Sequence, residues 1–413
     1  MQRSESSEKL ASEAFGQLRL RRRVPAFLFD IDGVFKRGSI HSESGAEALR
    51  RVVAAKLPFA FVTNGGGGRT EAQYATELGS KLLAAESKTD IKDGELEEKT
   101  KEGQEKGSTD ITAGSLLEIR AEQMILSYSP FKSDLEHLKP FPTLIVGSYT
   151  SLFVARQYGF KKAVHIEDYA HRNPLLNPFS KRTPKKMSGK CHSSEGFGSV
   201  LIFSDPVDYF EAMQIVIDVL LSKRPDLTEF DSSHRIPVVF SAGDLLWKSQ
   251  HPNPRFGQGA FRIALESLYV ARMRLLSVSE REIKARLGDF VQYGKPTLAQ
   301  FRHARGVLLS EAERLGCEIS KVYMIGDNPR TDIHGAQKMH RHIYDNHMCH
   351  LSKAENKTTN GKDNLQKRQP ESWSGILVRT GVYTDGDDTF GAEKVFDDVL
   401  QCVEFVRKRH GHM

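Results

Sequence analysis

Residues 26–34 read Ala26-Phe27-Leu28-Phe29-Asp30-Ile31-Asp32-Gly33-Val34, an apolar run that ends in two acids one residue apart. A run this apolar predicts a strand buried on both faces, as in a parallel α/β sheet. Such sheets bind ligands at the carboxyl ends of their strands, so Asp30 and Asp32 are predicted to lie at the binding edge. Two carboxylates this close are costly to ionise unless a cation lies between them or one keeps a proton.

The two acids are the first candidate catalytic residues. Asp30 is interpreted as a nucleophile that attacks phosphorus, and Asp32 as the general acid and base two positions away. Alternation along a strand places both side chains on one side, and Gly33 then lets the backbone turn sharply. The alternative interpretation is an Asx-type turn that closes a strand. Motifs further along the chain decide between the two.

A second apolar strand leads into a run of glycines. Residues 58–64 end in Thr63 and Asn64 and are followed by Gly65-Gly66-Gly67-Gly68-Arg69, after which residues 70–84 are predicted to form a helix. A hydroxyl at a strand end, followed by bare backbone N–H groups and a helix N-terminus, can cradle a phosphate. A flexible hinge into another domain is the other interpretation of the glycines, and the two roles are compatible.

Two further motifs occur late in the chain. Residues 292–297 place Lys295 between a glycine and a proline at the predicted start of a helix. Residues 322–332 form a third apolar run that ends in Asp327, with Asp332 five residues on. Carboxylate oxygens suit Mg²⁺, which prefers one or two carboxylates together with waters and substrate phosphate. A solvated surface lysine is the ordinary alternative for Lys295.

These four motifs resemble, in content and in order, those of the haloacid dehalogenase (HAD) superfamily of phosphohydrolases, and within it subclass IIA. The narrower resemblance is also carried by three other stretches: Ser241-Ala242-Gly243-Asp244-Leu245-Leu246-Trp247, Pro254-Arg255-Phe256-Gly257-Gln258-Gly259-Ala260-Phe261 and Leu377-Val378-Arg379-Thr380-Gly381-Val382. The matching stretches span most of residues 24–390. The resemblance implies an α/β fold, with a doubly wound parallel sheet of the HAD type and an inserted α/β cap domain of the C2 type.

The resemblance also implies a role for each motif residue. Asp30 is expected to form an aspartyl-phosphate, and Asp32 to protonate the leaving oxygen and then activate water. Thr63 and Lys295 are expected to hold the phosphoryl oxygens. The expected Mg²⁺ ligands are Asp30, the carbonyl of Asp32 and Asp327, with Asp332 just behind them. The predicted substrate-binding residues are Gly33, Asn64, Gly65, Asp244, Arg255, Gln258 and Asn328. Asp244, Arg255 and Gln258 lie in the predicted cap. For these three residues, the alternative is that their motifs only pack the cap and turn the chain.

The predicted function is Mg²⁺-dependent hydrolysis of a small phosphate monoester. A carboxyl group at Asp32 favours this reaction over dehalogenation, because an alkoxide leaving group needs a proton and a halide does not. Two alternatives stay open. One is a catalytically weak HAD-fold protein that binds or scaffolds. The other is a phosphatase or phosphotransferase related to phospholipid synthesis, which the same residues would serve.

A length of 413 residues suits two domains. More than two hundred residues separate the Thr63 motif from the Lys295 motif, far more than a loop requires, which predicts an inserted cap. The predicted organisation is an N-terminal extension (1–23), a core domain (24–68 and 290–413) and a cap (69–289). Tracts with little to bury predict disordered insertions near residues 87–110 and 173–196 in the cap, and near 345–372 in the core.

Charge and targeting signals are only mildly informative. The 59 basic and 53 acidic residues are close to balance, so no nucleic acid is expected as a partner. No apolar run is long enough to predict a membrane span. The expected partner is a small phosphorylated metabolite, and a homo-oligomer formed through the cap is left open. The resemblance points to mitochondria, with the cytoplasm as the alternative because acids upstream of residues 18–23 are atypical of a transit peptide.

Overall fold

A computed structural model describes residues 21–86, 118–179, 196–224, 227, 229–231, 233–247, 251, 253–355 and 369–412. The insertion predicted near 87–110 lies outside these residues, as do most of the N-terminal extension and residues 180–195 of the insertion predicted near 173–196. Among the described residues, no helix is both long enough and apolar enough to cross a bilayer.

The described residues form two parallel sheets, two short hairpins and the helices that flank them. The strands are, in chain order, β1 (Arg23–Phe29), β2 (Lys36–Arg37), β3 (Ile40–His41), β4 (Phe59–Val62), β5 (Met124–Ile125), β6 (Thr143–Val146), β7 (Ala163–His165), β8 (Ser199–Ile202), β9 (Val238–Phe240), β10 (Leu246–Trp247), β11 (Arg255–Phe256), β12 (Phe290–Gln292), β13 (Glu318–Gly326), β14 (Ser372–Val378) and β15 (Lys394–Phe396). The helices are α1 (Glu43–Ala54), α2 (Glu71–Glu86), α3 (Phe131–Asp134), α4 (Thr150–Gln157), α5 (Ile166–Arg172), α6 (Tyr209–Leu221), α7 (Gln258–Leu275), α8 (Glu280–Leu287), α9 (Leu298–Arg314), α10 (His334–Glu355) and α11 (Val399–Arg409).

The first sheet has six parallel strands in the order β15-β14-β13-β1-β4-β5. Its central strand β1 is buried from Val24 to Phe29, which explains why the sequence there is continuously apolar instead of alternating. Phe35 packs edge-on against both Phe29 and Phe61, whose rings are tilted relative to each other, and the three ring centroids lie 5.2 to 5.9 Å apart. The predicted α/β fold with a doubly wound parallel sheet is confirmed.

The second sheet has five parallel strands in the order β12-β9-β8-β6-β7. Helices α6 and α7 bury apolar faces in a separate hydrophobic core around this sheet. The two sheets meet through aromatic side chains. Phe131 packs edge-on against Phe203 and Tyr293, with ring centroids 5.3 and 5.1 Å away.

The borders of the second sheet differ from the predicted cap limits of 69 and 289. Helix α2 and strand β5 lie within the predicted cap, yet β5 pairs with β4 in the first sheet. Strand β12 lies within the predicted core, yet it pairs with β9 in the second sheet. Short strands such as these carry no local signal of the sheet they join, because pairing is decided by tertiary contacts.

The insertion predicted near 345–372 also differs from the structure. Helix α10 continues through Glu355, and strand β14 begins at Ser372. Only residues 356–368 of that tract lie outside the described residues. The polar composition of this tract is compatible with a helix as well as with a loop, so composition alone does not separate the two.

Candidate active site

The predicted motifs meet at one edge of the first sheet because of strand register. Phe29 pairs with Phe61 on β4 and with Ile325 on β13, so three parallel strands end at the same level. The residues that follow these ends include Asp30 and Asp327. Their convergence is therefore a consequence of pairing between segments that lie nearly 300 residues apart in the chain.

A buried lysine pairs with two acids at the centre of this edge. The ammonium nitrogen of Lys295 lies 2.6 Å from Oδ1 of Asp30 and 2.7 Å from Oδ1 of Asp332, and all three side chains are buried. Lys295 precedes helix α9, whose N-cap Thr297 accepts a hydrogen bond from the backbone N–H of Gln300. The two carboxylates raise the pKa of Lys295 against the opposing effect of burial, so it stays charged. It is not the solvated surface lysine of the alternative interpretation.

Three buried carboxylates surround that single cation. Oxygen atoms of Asp30, Asp327 and Asp332 all lie within 4.8 Å of one another. Burial raises the pKa of Asp327 to about 7, and the charge of Asp332 adds to the effect. Burial likewise raises the pKa of Asp30 well above its usual value, although Lys295 opposes the shift. Both shifts reflect a cluster that, when fully ionised, would hold more negative charge than Lys295 balances.

This cluster fits a divalent cation that prefers oxygen ligands. Three acids against one lysine leave an excess of two negative charges when all are ionised, which one Mg²⁺ would neutralise. Asp30 and Asp327 belong to the predicted ligand set. Asp332, which is predicted to lie behind those ligands, is the third acid of the cluster. The contribution of the Asp32 carbonyl stays a prediction.

Two glycines enclose the carboxylate of Asp327. A Cβ atom at Gly33 would come 2.2 Å from Oδ2 of Asp327, and one at Gly381 would come 1.8 Å from the same oxygen. Gly33 also has a φ of +85°, which L residues with side chains rarely adopt. The backbone N–H of Val382 donates to that oxygen over 2.8 Å. Only glycine at both positions lets the backbone approach the acid so closely.

The second acid of the opening pair lies apart from the cluster. Oδ1 of Asp32 lies 3.0 Å from the ammonium of Lys36, and Oδ2 accepts a long hydrogen bond of 3.5 Å from the hydroxyl of Thr63. Asp32 is partly exposed, whereas Asp30 is buried. The two acids therefore have different surroundings, as distinct nucleophilic and acid–base roles require.

The side chain of Asn64 connects the end of β4 to the Lys295 motif and to the loop that carries Asp244. Its side-chain oxygen accepts a hydrogen bond of 2.6 Å from the backbone N–H of Lys295, and its amide donates to the carbonyl of Lys295 over 3.0 Å. The same amide donates to Oδ2 of Asp244 over 2.7 Å. Burial raises the pKa of Asp244 to about 6, opposed by Lys295 and by this hydrogen bond.

Gln258 holds the loop that carries Asp244. It begins helix α7 and is buried, with its side-chain oxygen accepting from the backbone N–H of Ala242 over 2.8 Å. Its amide donates to the hydroxyl of Ser241 over 3.1 Å. These bonds occupy the amide, so the geometry favours a role in positioning the loop.

A cavity of about 350 Å³ opens between the two sheets above the acids. The predicted site residues that line it are Asp30, Asp32, Gly33, Thr63, Asn64, Gly65, Asp244, Gln258, Lys295, Asp327 and Asn328. Asp332 lies buried beneath the cavity and accepts from the backbone N–H of Asn328 over 3.0 Å. Arg255 lies exposed on β11 and is not brought to the cavity wall.

The residues that line the cavity without being predicted as site residues include two cations and a tyrosine, namely Lys36, Arg69 and Tyr74. Lys36 follows Asp32 by four residues, and Arg69 ends the glycine run, so both stood next to recognised motifs. Tyr74 carried no signal, because an aromatic residue in a helix is ordinarily a core residue.

Comparisons with known proteins agree with this arrangement. Residues 27–92 match the family described as haloacid dehalogenase-like hydrolase, and residues 292–342 match one described as HAD-hydrolase-like. A mitochondrial hydrolase of Saccharomyces cerevisiae is 28% identical, over 92% of this chain and 95% of the relative. A cardiolipin synthase (CMP-forming)/mitochondrial hydrolase fusion protein of Schizosaccharomyces pombe is 26% identical, over 93% of this chain and 53% of the relative.

The fold is also similar to that of solved structures. A p-nitrophenyl phosphatase from Archaeoglobus fulgidus superimposes with a TM-score of 0.50 and 15% identity, over 93% of this chain and 99% of that one. This likeness covers both sheets.

Proposed function

We propose that this chain is a haloacid dehalogenase-like hydrolase, and that it acts as a Mg²⁺-dependent phosphatase that hydrolyses a small phosphate monoester through an aspartyl-phosphate. The observation that carries the proposal is the buried cluster of Asp30, Asp327, Asp332 and Lys295 at the floor of the cavity. Phosphoryl transfer depends mostly on positioning and on neutralising the charge of the phosphoryl oxygens, which such a cluster supports.

Asp30 is the proposed nucleophile. Its carboxylate oxygen attacks phosphorus, a new O–P bond forms, and the ester oxygen leaves with the bonding electrons. Lys295, 2.6 Å from Oδ1, holds the carboxylate in place and offers positive charge to the phosphoryl oxygens. Burial of both groups makes that interaction stronger than it would be in water.

Asp32 is the proposed acid and base. It gives a proton to the departing oxygen, and the resulting carboxylate then takes a proton from the water that hydrolyses the aspartyl-phosphate. Its partial exposure gives it access to solvent protons, and the hydroxyl of Thr63, which donates to it over 3.5 Å, lines the same cavity and is proposed to hold a phosphoryl oxygen.

A magnesium ion would be held by Asp30, Asp327 and the backbone carbonyl of Asp32, with Asp332 directly behind these ligands. When bound, it would neutralise phosphoryl charge and polarise the phosphorus toward attack. In this proposal Asp327 is held for that purpose by Val382 and by the two glycines around it.

Hydrolysis of p-nitrophenyl phosphate by the purified full chain tests the proposal. We expect Mg²⁺-dependent turnover by the unmodified protein, none detectable in Asp30→Asn, and a kcat about 10² to 10⁴-fold lower on an alkyl phosphate in Asp32→Asn. Asp345→Asn is the matched control, because Asp345 is exposed on α10 and lines no part of the cavity. Turnover that survives Asp30→Asn would overturn the nucleophile assignment.

A second measurement addresses the intermediate directly. Protein mixed with a substrate labelled on the phosphoryl group and quenched in acid should retain label, and Asp30→Asn should retain none. Label that persists in Asp30→Asn would place the covalent link elsewhere. An unmodified protein that binds phosphate esters but never turns them over would instead favour the binding or scaffold alternative.

The second candidate function is a phosphatase or phosphotransferase related to phospholipid synthesis. Its support is the fission-yeast relative, whose name joins a cardiolipin synthase to a mitochondrial hydrolase. The names of both relatives also support a mitochondrial location for this chain, with the cytoplasm as the alternative. Imaging of the tagged full chain against a mitochondrial marker tests the location, and transfer of label to an alcohol acceptor instead of water distinguishes a phosphotransferase.

A further inference from the structure

A smaller pocket of about 230 Å³ adjoins the main cavity. The two share the side chains of Lys36, Arg69 and Tyr74, so these residues form the wall between them. Neither the motifs nor the proposed chemistry of Asp30 and Asp32 uses this pocket. It lies on the side of the main cavity where Lys36 contacts Asp32, which is the side where a leaving group would depart.

The dividing wall presents two cations to the two spaces. The ammonium of Lys36 lies 5.5 Å from the centroid of the Tyr74 ring, and the guanidinium carbon of Arg69 lies 5.6 Å from the same centroid. Tyr74 is itself buried, on helix α2. A buried ring that contacts both side chains restrains their positions, because cations are attracted to the faces of aromatic rings.

Positive charge exceeds negative charge around the smaller pocket. Lys36, Arg69 and Lys81 line it, and among its described lining residues Glu77 is the one acid. Glu77 is shared between two of the cations, with contacts of 2.7 Å to Arg69 and 2.5 Å to Lys81. Burial lowers the pKa of His41, also in the lining, so it adds no charge near neutral pH. The three cations of the pocket therefore offer more hydrogen-bond donors than Glu77 accepts, which leaves donors for a bound anion.

We infer that this pocket binds a second anionic group, carried by the leaving alcohol of the substrate. The substrate class is then a small phosphate monoester whose alcohol bears another phosphate or a carboxylate. Lys36 and Arg69 hold that second group from the shared wall, and Lys81 from the far side. The inference rests on the proposed function, because it assigns the chemistry of the substrate for the same site.

The distances limit how far apart the two anionic groups are. Lys36 lies 3.0 Å from Asp32, and a charge-assisted hydrogen bond adds about 2.8 Å, so an anion on Lys36 lies within about 6 Å of the acid beside the ester oxygen. Such a span corresponds to a few covalent bonds. A compact metabolite with two anionic groups fits it, and a simple alkyl phosphate leaves the pocket empty.

Three substrates of matched carbon skeleton test the inference: propyl phosphate, propanediol bisphosphate and phosphooxypropanoate. We expect kcat/KM to be about tenfold or more higher for the two doubly anionic esters, after the bisphosphate value is halved for its two equivalent ester groups. A preference for the bisphosphate alone identifies the second group as phosphate, and one for phosphooxypropanoate alone identifies it as carboxylate. Equal values for all three esters overturn the inference.

Variants of opposite charge separate binding from damage to the fold. Arg69→Gln should lower the ratio of kcat/KM between doubly and singly anionic esters about tenfold, and Glu77→Gln should raise it, because the acid that competes for Arg69 and Lys81 is lost. Lys284→Gln, an exposed lysine on α8 that lines neither space, should leave the ratio unchanged. If Arg69→Gln and Glu77→Gln shift the ratio in the same direction, the pocket does not recognise charge.

Calorimetry with Asp30→Asn distinguishes this inference from the proposed function. The variant cannot form the proposed covalent link, so dissociation constants for propyl phosphate and propanediol bisphosphate can be measured without turnover. If the bisphosphate binds more tightly and the unmodified protein hydrolyses nothing, the second anion site is supported and the proposed phosphatase activity is contradicted. If p-nitrophenyl phosphate is hydrolysed and the two esters bind equally, the proposed phosphatase activity is supported and the second anion site is contradicted.

Discussion

The side chain of Asn64 donates a hydrogen bond to Asp244 over 2.7 Å and thereby joins the end of β4 to the loop that follows β9. Asn64 follows a strand of the first sheet and Asp244 follows a strand of the second, so one amide connects the two halves of the cavity. The same side chain holds both the N–H and the carbonyl of Lys295.

Replacing Asn64 by Ala should lower kcat for p-nitrophenyl phosphate about 10²-fold. The expected cause is misplacement of Lys295, whose backbone loses both side-chain hydrogen bonds, since small displacements of catalytic groups are costly. Steady-state kinetics of the variant give the value. Asn346→Ala, which removes an exposed amide on α10, is the control. A kcat equal to that of the unmodified protein would show that Lys295 is held by other contacts.

Replacing Lys295 by Met should destabilise the fold by about 3–5 kcal/mol, because it leaves buried carboxylates without their cation. The deficit should grow with pH. A carboxyl group whose pKa is raised in the folded state binds its proton more tightly when folded, so it costs little below its unfolded pKa and progressively more as pH rises. Asp30 and Asp327 both have raised pKa values.

Urea unfolding of Lys295→Met at pH 5 and pH 8 measures that deficit. Adding Asp332→Asn to the same chain should recover part of the loss, because it removes one of the unbalanced charges. Equal deficits at the two pH values would indicate that the lost contacts of the lysine stem, and not its charge, account for the change.

Binding of Mg²⁺ should weaken as the pH falls through about 7. The pKa of Asp327 is about 7 in the folded protein without metal, and a carboxyl group must lose its proton before it binds a cation. We expect the apparent affinity to fall by up to about tenfold between pH 7.5 and pH 6. Calorimetric titration with Mg²⁺ measures it. Affinity that does not change with pH would mean that Asp327 is already ionised across this range.

Replacing Gly381 by Ala should weaken Mg²⁺ binding while the protein still folds. The added Cβ would come 1.8 Å from Oδ2 of Asp327, so the carboxylate or the loop must move. The measurement is again titration with Mg²⁺, alongside thermal unfolding. Gly306→Ala on α9 is the control, because its Cβ meets nothing within 4 Å and should stabilise the helix by about 0.5–1 kcal/mol. Unchanged metal binding in Gly381→Ala would remove Gly381 from the support of Asp327.

Strand-end residues were the part of the site that local sequence could predict. A continuous apolar run that stops at Asp30, Thr63 or Asp327 reveals both a buried strand and a polar group at its carboxyl end. Arg255 illustrates the limit of this reasoning, because it belongs to a cap motif but lies on an exposed hairpin. Lys36 and Tyr74 are the opposite case, because they line the cavity although no local motif indicates it. Their place on the cavity wall depends on how the β2–β3 hairpin and α2 pack together.

The amino-acid sequence by itself determined the α/β fold, the order of the motifs and the residue types available for phosphoryl chemistry, because these follow from apolar periodicity and from the groups that interrupt it. Tertiary structure alone decided that Lys295 lies between Asp30 and Asp332, that Asn64 reaches Asp244, and which sheet β5 and β12 join. The physical reason is that these contacts link residues far apart in the chain, and their geometry depends on strand register and on the packing of two sheets.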